Sequence, residues 1–409
     1  MNTEKNKIIK LAAVSIAVTV FVFIYSGIGK LNFFVIDDAW MLLGFNLVVP
    51  HSYSWNWVVH VFTDINNFTY SPIITLYYNF IYKLNGFDPY YYHTASLIIQ
   101  FTDAVMLYFL SKRILNSFSI ANFKIIAYLT SFIWLVHPLN VEAIVWISAI
   151  KFGLSNLFIF ISFIYYIDGL NTNSSKKIIV STLMFVCACM CKEQAIFAPY
   201  FFIGYTICHI KKWKYNQSLK WVGWSTLIMV SSFVFVYINI NANNEVYFAP
   251  ASSYAFWQRI CFAAHSLFFY LEKLVFPYPL KFYYTFPIKP KESLPWEYII
   301  SPVAFILFYS WIFHFFKKRE QTKFFIFCSI FFFANMVFCL QIIPMGVRTN
   351  LVASRYMYLP AIPVLYLLLS ILPVKVLTTP RIGYLFIVIL LLATYTYFYV
   401  ISWAKLNIS

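Results

Sequence analysis

Apolar runs of about twenty residues recur from one end of this chain to the other, and that feature leaves few architectures open. Inside a bilayer every backbone N–H and C=O must find a partner within the protein. A crossing segment is therefore a helix or a strand of a closed barrel. Barrel strands read as short alternating segments of about ten residues; the runs here are longer and continuous. The chain is 62% hydrophobic, 22% aromatic and 11% charged, whereas a soluble domain carries about 25% charged residues. The expectation is an all-α polytopic membrane protein.

The net charge of +16 could suggest nucleic acid. Its distribution argues otherwise, because the basic residues fall in short clusters between apolar runs, as cytoplasmic loops do. The lipid bilayer is thus an expected partner and nucleic acid is not. Lys5, Lys7 and Lys10 place the N-terminus in the cytoplasm. Lys112-Arg113 with Lys124, Lys176-Lys177, Lys211-Lys212 with Lys214 and Lys220, Lys317-Lys318-Arg319 with Lys323, and Lys375 with Arg381 follow. All fall on the cytoplasmic side if spans run near 8–28, 91–111, 124–138, 152–168, 178–191, 193–210, 221–240, 297–316, 324–341, 358–373 and 382–403. That predicts about eleven transmembrane helices with the C-terminus outside. Segment 257–275 is helical in pattern but carries Arg259, His265, Glu272 and Lys273. It either lies along or dips into the outer face, or forms a twelfth span. No small-residue cleavage site follows the basic N-terminus, so the first span reads as retained. Residues 1–409 read as one integral-membrane domain, with no soluble domain after residue 403.

The segments left outside are 29–90, 139–151, the Lys192-Glu193 turn, 241–296 and 342–357. The first external loop, 29–90, holds Asp37, Asp38, Asp64 and Asp88 against Lys30 and Lys83. Trp40, Trp55, Trp57 and many tyrosines suit helices lying in the membrane interface. Ser71–Leu84 is expected to be one, with Pro72 in its first turn and Gly86 after its end. Cys187, Cys189, Cys191, Cys208, Cys261, Cys328 and Cys339 lie mostly within apolar runs and form no C-x-x-C pair. They read as packing residues rather than metal ligands or disulfides.

Asp37-Asp38 follows the first apolar run. Ionisable groups at such a place are costly, and adjacent carboxylates repel, which can raise one pKa and suit it to proton abstraction. The bland counterpart is a solvated pair that ends a helix. The other unusual polar groups collect on the same side. His137-Pro138 ends the third span, with Glu142 four residues beyond Pro138; Lys151 begins the next span; Lys192-Glu193 lies between two spans; Arg348 and Arg355 flank a late one. Each has a structural counterpart: a helix stop, a Glu142–Lys151 pair, a solvated turn, arginines reaching to lipid headgroups. Together, positive groups on the external side call for an anionic partner, and arginine and lysine both bind phosphate. A base beside a cationic phosphate site suggests attack by a hydroxyl on a carbon whose leaving group is a lipid-anchored phosphate. No Gly-rich phosphate loop or dinucleotide fingerprint is present.

Several stretches, in order, resemble the membrane part of the TMTC-type O-mannosyltransferases and related bacterial proteins. These lie within the GT-C class of polyprenyl-phosphate-sugar-dependent glycosyltransferases. The stretches are Phe34-Val-Ile-Asp-Asp38, Tyr70-Ser-Pro-Ile-Ile-Thr-Leu with Asn79, Gly86-Phe-Asp-Pro-Tyr-Tyr-Tyr-His93, His137-Pro-Leu-Asn-Val-Glu-Ala143 with Trp146, Cys191-Lys-Glu-Gln194, Tyr270-Leu-Glu-Lys-Leu-Val-Phe-Pro277 and Ala353-Ser-Arg-Tyr-Met-Tyr-Leu-Pro360. The resemblance implies a GT-C-like bundle, an acidic catalytic residue in the first external loop, a polyprenyl-phosphate sugar donor and inversion at the sugar carbon. It matches Asp37-Asp38 to the acidic pair, Arg355 to the arginine before Tyr-Leu-Pro, Lys192-Glu193 to the Lys-Glu-Gln turn and Lys273 to the lysine before the Phe/Trp-Pro. This chain departs at Ser71, where the family often has arginine, and at Ile150-Lys151-Phe152, which keeps one cation of an Arg-Lys-Asp run. The family's tetratricopeptide repeats are not expected after Ser409.

The resulting expectation is an inverting membrane glycosyltransferase at the extracytoplasmic face, moving a sugar from a polyprenyl-phosphate carrier to a hydroxyl of a protein, glycan or lipid. Asp37 or Asp38 is the base. Arg355, Lys273, Arg348 and Lys192 hold the donor phosphate. His137, Glu142, Lys151 and Glu193 position substrate. No metal or other cofactor is expected. A bacterial inner membrane is the expected location, or an endoplasmic-reticulum membrane with a lumenal site in a eukaryote. The rivals are a lipid-linked glycan polymerase or ligase, and a non-enzymatic transporter or flippase of a lipid-linked anion. A transporter would place charges along a midplane path and show internal repeats; here the polar groups gather at one surface, Asp103 excepted.

Overall fold

The apolar runs fold as helices. The computed structural model describes residues 14–34, 37–44, 46–50, 52–63, 70–209, 215–242, 253–319, 321–342, 350–373 and 382–406. In chain order the helices are α1 (Val14–Lys30), α2 (Trp55–Thr63), α3 (Pro72–Asn85), α4 (Pro89–Ser117), α5 (Phe123–Val136), α6 (Val141–Val145) and α7 (Ile150–Thr172). They continue with α8 (Ser175–Cys189), α9 (Ala198–His209), α10 (Tyr215–Ala242), α11 (Phe256–Val275), α12 (Trp296–Lys318), α13 (Thr322–Met336), α14 (Ala361–Ser370) and α15 (Ile382–Leu406). Lys5, Lys7, Lys10, Asp64, Lys211, Lys212, Lys214, Arg348, Lys375 and Arg381 lie outside the described residues.

Among the described residues, four helices are long and apolar enough to cross a membrane: Pro89–Ser117, Ile147–Thr172, Trp221–Ile238 and Trp296–Lys318. A fifth is obtained if α5 and the segment Pro138–Val145, bent by 53° at His137-Pro138, form one broken span. The structure therefore supports an all-α membrane protein with fewer long spans than the expected eleven. Helices α8, α9, α13 and α14 have 15, 12, 15 and 10 residues. At about 1.5 Å per residue they fall short of a hydrocarbon core of about 30 Å. α11 carries too many charges to qualify as a crossing helix.

Local chemistry sets the boundaries. Pro72 opens α3, and Gly86 closes it at φ +64°, a conformation other residues adopt at a cost. The Asp88 carboxylate caps α4 by accepting from the Tyr90 N–H at 3.0 Å, with Pro89 at the first helical position. α7 and α8 form a tight hairpin. Asn173 ends α7 with a left-handed φ of 51°, and Gly169 lets Ile178 approach so closely that a Cβ there would sit 2.6 Å from its side chain. The hairpin's seam is small and polar: the Ser162 hydroxyl donates to the Ser181 carbonyl at 2.8 Å, and that of Ser155 to Ala188 at 3.2 Å. Apolar tails give no drive for helices to associate in lipid, so small residues and short hydrogen bonds do that job. Buried Cys189, Cys191, Cys261, Cys328 and Cys339 serve as packing residues.

Two features outside the helices position the polar groups. Strands β1 (Tyr284–Thr285) and β2 (Asn350–Val352) pair antiparallel, Tyr284 opposite Val352. This ribbon fixes the chain three residues before Arg355. Secondly, the chain after α1 folds back across the start of α7 and buries Asp38 completely.

Candidate functional site

The two adjacent aspartates have different surroundings. Asp38 is buried, and both its oxygens are taken: Oδ2 accepts from the Phe34 N–H and Oδ1 from the Ser148 N–H, each at 2.8 Å. Ser148 precedes α7, so Asp38 ties the segment after α1 to the head of a membrane helix. Burial pushes the Asp38 carboxyl from an ordinary 3.8 up to about 6, against the opposing pull of those two donors. The charge of Asp37 adds a smaller push. The raised pKa anticipated for this pair thus comes chiefly from lost solvation rather than from like-charge repulsion. Asp37 is half-buried, and its Oδ1 accepts from the Trp40 indole N–H at 3.2 Å. It is the more exposed member of the pair.

Arg355 stands on a short helical turn, Ser354–Met357, just after β2. Its guanidinium forms an ion pair with Glu142, and its own backbone N–H donates to the other Glu142 oxygen at 3.0 Å. The guanidinium carbon lies 5.0 Å from the Trp146 ring centroid and 5.1 Å from that of Tyr356, within cation–π range. Three residues on, Tyr358 anchors the turn. Its carbonyl accepts from the Trp134 indole at 2.6 Å, and its hydroxyl bonds Gln100 and, at 3.1 Å, Asp103. Asp103, the polar exception within a span, is therefore joined to the Arg355 segment.

Lys151 lies in the first turn of α7. Its ammonium reaches the Met41 sulfur at 3.7 Å. No carboxylate lies within ion-pair distance of it among the described residues. Lys192, Glu193, Asp37 and Arg355 all act on it electrostatically, and Asp37 acts on Arg355. Lys192 pairs with Glu193 and faces the Phe152 ring. The structure thus brings together Asp37, Glu142, Lys151, Lys192, Glu193 and Arg355. Lys192 and Arg355 line one small cavity of about 20 Å³ with Asn156 of α7.

Two expected site residues have other duties. The Lys273 ammonium pairs with Glu272 at 2.8 Å and donates to the Tyr278 carbonyl at 3.3 Å; neither contact draws it toward Asp37. The His137 ring is a main-chain clamp: Nδ1 accepts from the Leu139 N–H at 3.2 Å, and Nε2 faces the Leu274 carbonyl at 3.0 Å. It joins the α5 break to the end of α11. Arg348 lies outside the described residues. Among those described, no group of three or more His, Cys, Asp and Glu residues is arranged to hold a metal ion.

Trp40, Met41, Trp146 and Tyr358 entered the site only with the structure. Tyr358 carried a signal, since it falls three residues after Arg355 while Gln100 and Asp103 stand three apart in an apolar run. Trp146 stood in one of the resembling stretches with no role attached, and Met41 resembled any other apolar residue.

No family model matches the chain. The sequence is similar to protein O-mannosyl-transferase TMTC1 of Homo sapiens, with 23% identity over 181 residues, which is 40% of this chain and 20% of that protein. The chain therefore matches about a fifth of that relative's length. At this identity and coverage the likeness marks a distant, glycosyltransferase-like relationship.

Proposed function

We propose that this protein is an inverting membrane glycosyltransferase that moves a sugar from a polyprenyl-phosphate carrier to a hydroxyl acceptor at the extracytoplasmic face. The observation that carries the reading is the more exposed Asp37 carboxylate in electrostatic range of two cations, Lys151 and Arg355, beside the ends of apolar helices. The distant similarity to an O-mannosyl-transferase supports the reaction class.

In this reading the acceptor O–H gives its proton to Asp37, and the oxygen attacks the anomeric carbon. The bond from that carbon to the phosphate oxygen breaks on the opposite face, and the electron pair leaves with the phosphate. The carrier's phosphate then gains one negative charge. Lys151 answers it best, because no carboxylate among the described residues holds its ammonium in an ion pair. Arg355 and Lys192 add donors at the rim of the same cluster. Trp40 aims the Asp37 carboxylate through its indole N–H. Glu142 acts through Arg355, and Glu193 through Lys192. Asp38 holds the loop rather than the proton. In this reading no metal takes part, and the engagement of both Asp38 oxygens by main-chain N–H groups supports that.

The test uses purified protein in nanodiscs, synthetic polyprenyl-phosphate hexoses, and hydroxyl acceptors of protein, glycan and lipid type, with products read by mass spectrometry. Hexose transfer by the wild type, lost in Asp37→Asn and resistant to chelator, is the expected result. Donor binding without turnover on any acceptor would favour a carrier-lipid transporter, and loss of transfer to chelator would overturn the metal-free mechanism.

A further inference from the structure

The cavity that Lys192 and Arg355 line continues inward along α7, and its inner wall is polar where a lipid-embedded helix would ordinarily be apolar. Asn156 stands on that wall, 5% exposed, and its Nδ2 has no hydrogen-bond partner among the described residues. An amide N–H buried without a partner is costly, so such a group at a cavity wall points to a ligand that satisfies it. The facing wall offers Gln194 and Asn335. Each already spends one amide N–H, on the Cys339 sulfur at 3.3 Å and the Phe331 carbonyl at 2.7 Å. Asn156 is the amide of this wall whose nitrogen makes no hydrogen bond at all among the described residues, and so the one most in need of a ligand. The space, about 20 Å³, admits one water-sized group such as a hydroxyl and excludes a phosphate or a prenyl chain.

We propose that Asn156 is a specificity-determining residue: its side-chain amide reads one hydroxyl of the sugar whose phosphate rests at Lys151, Lys192 and Arg355. This rests on the glycosyltransferase reading above and deepens it, because it assigns the sugar to the α7 side of the cations and leaves the acceptor on the Asp37 side. The chemistry required of the ligand is a hydroxyl acceptor next to an anion, which a polyprenyl-phosphate hexose supplies. A site that pairs a buried polar group with a substrate hydroxyl rejects analogues that misplace it, since the buried group is then left unpaired.

The experiment measures binding of short-chain polyprenyl phosphates carrying mannose, glucose or galactose, and of unglycosylated polyprenyl phosphate, to the purified full chain. The wild type is expected to prefer one hexose over its epimers by at least about tenfold. Asn156→Leu should reduce that preference to below about twofold while leaving the affinity for unglycosylated polyprenyl phosphate unchanged. Asn156→Asp keeps the size and removes the N–H donor; it should likewise lose the preference, and it serves if the leucine variant does not fold. Equal binding of the three hexoses by the wild type, or an intact preference in either folded variant, overturns the proposal. If unglycosylated polyprenyl phosphate binds neither the wild type nor Arg355→Ala, the glycosyltransferase reading fails first and takes this proposal with it.

Discussion

Two arginine–carboxylate pairs hold distant parts of this molecule, and they differ in kind. Arg113 and Asp168 join α4 to α7 through a two-pronged contact, Nε to Oδ1 at 2.8 Å and Nη2 to Oδ2 at 2.9 Å, with about a third of each side chain exposed. Arg355 and Glu142 make one side-chain bond and one backbone bond, with 17% and 4% exposed. Solvent screens the first pair, which makes it modest glue of about 1 kcal/mol or less. Burying the second costs desolvation that its attraction need not recover. A buried ion pair of that sort is poor evidence for stability and better evidence for a task, which in the proposed function is to hold a cation among apolar walls.

The comparison can be broken most forcefully at the buried pair. Glu142→Ala strands a desolvated guanidinium and a backbone N–H, so unfolding stability in detergent should fall by about 3–5 kcal/mol and transfer should be abolished. A melting temperature equal to wild type would show that the pair is not buried as described. The next effect sharpens the same contrast in catalysis. Asp37→Asn should slow hexose transfer by about 10²–10⁴-fold while thermal stability stays within about 0.5 kcal/mol. Full transfer in that variant removes Asp37 as the base.

Asp38→Asn is expected to do the reverse, costing about 1–3 kcal/mol because an amide cannot accept from both the Phe34 and Ser148 N–H groups. It should also change the pH profile. Burial raises the Asp38 pKa in the folded protein from 3.8 to about 6. The native state therefore binds more protons than the unfolded chain across that window. Its stability should fall as pH rises through about 4 to about 6 and level off above. Asn removes that slope, and melting curves across the window check it. The smallest effect belongs to the exposed pair: Arg113→Lys should cost less than about 1 kcal/mol and leave transfer unchanged. A large loss there would place the two pairs in one class.

Much of this was legible in the sequence, for reasons that also mark where reading stopped. Apolar runs announce helices because lipid admits little else, and Pro72, Gly86 and Asp88 act on their immediate neighbours, so their roles could be read locally. Span count was harder, since hydropathy does not separate a 12-residue helix such as α9 from a full crossing when a short turn with an apolar end, Glu193–Phe197, leads straight into it. The aspartate pair was visible as a pair. Its division of labour was not, because the donor that claims one Asp38 oxygen comes from Ser148, 110 residues away. The β1–β2 ribbon, two and three residues long, is too short to carry a pattern. A Glu142–Lys151 pair was the structural alternative for those two residues; the fold gives Glu142 to Arg355 and leaves Lys151 against a sulfur.

The grip on Tyr358 has a mechanical consequence. Trp134 of α5 holds its carbonyl, and Gln100 and Asp103 of α4 hold its hydroxyl. The guanidinium one turn earlier therefore rides at an altitude fixed by two helices, and those helices settle at a level dictated by hydrocarbon thickness. In the glycosyltransferase reading proposed above, a phosphate on a lipid carrier would meet Arg355 at that level without adjustment of the flanking loops.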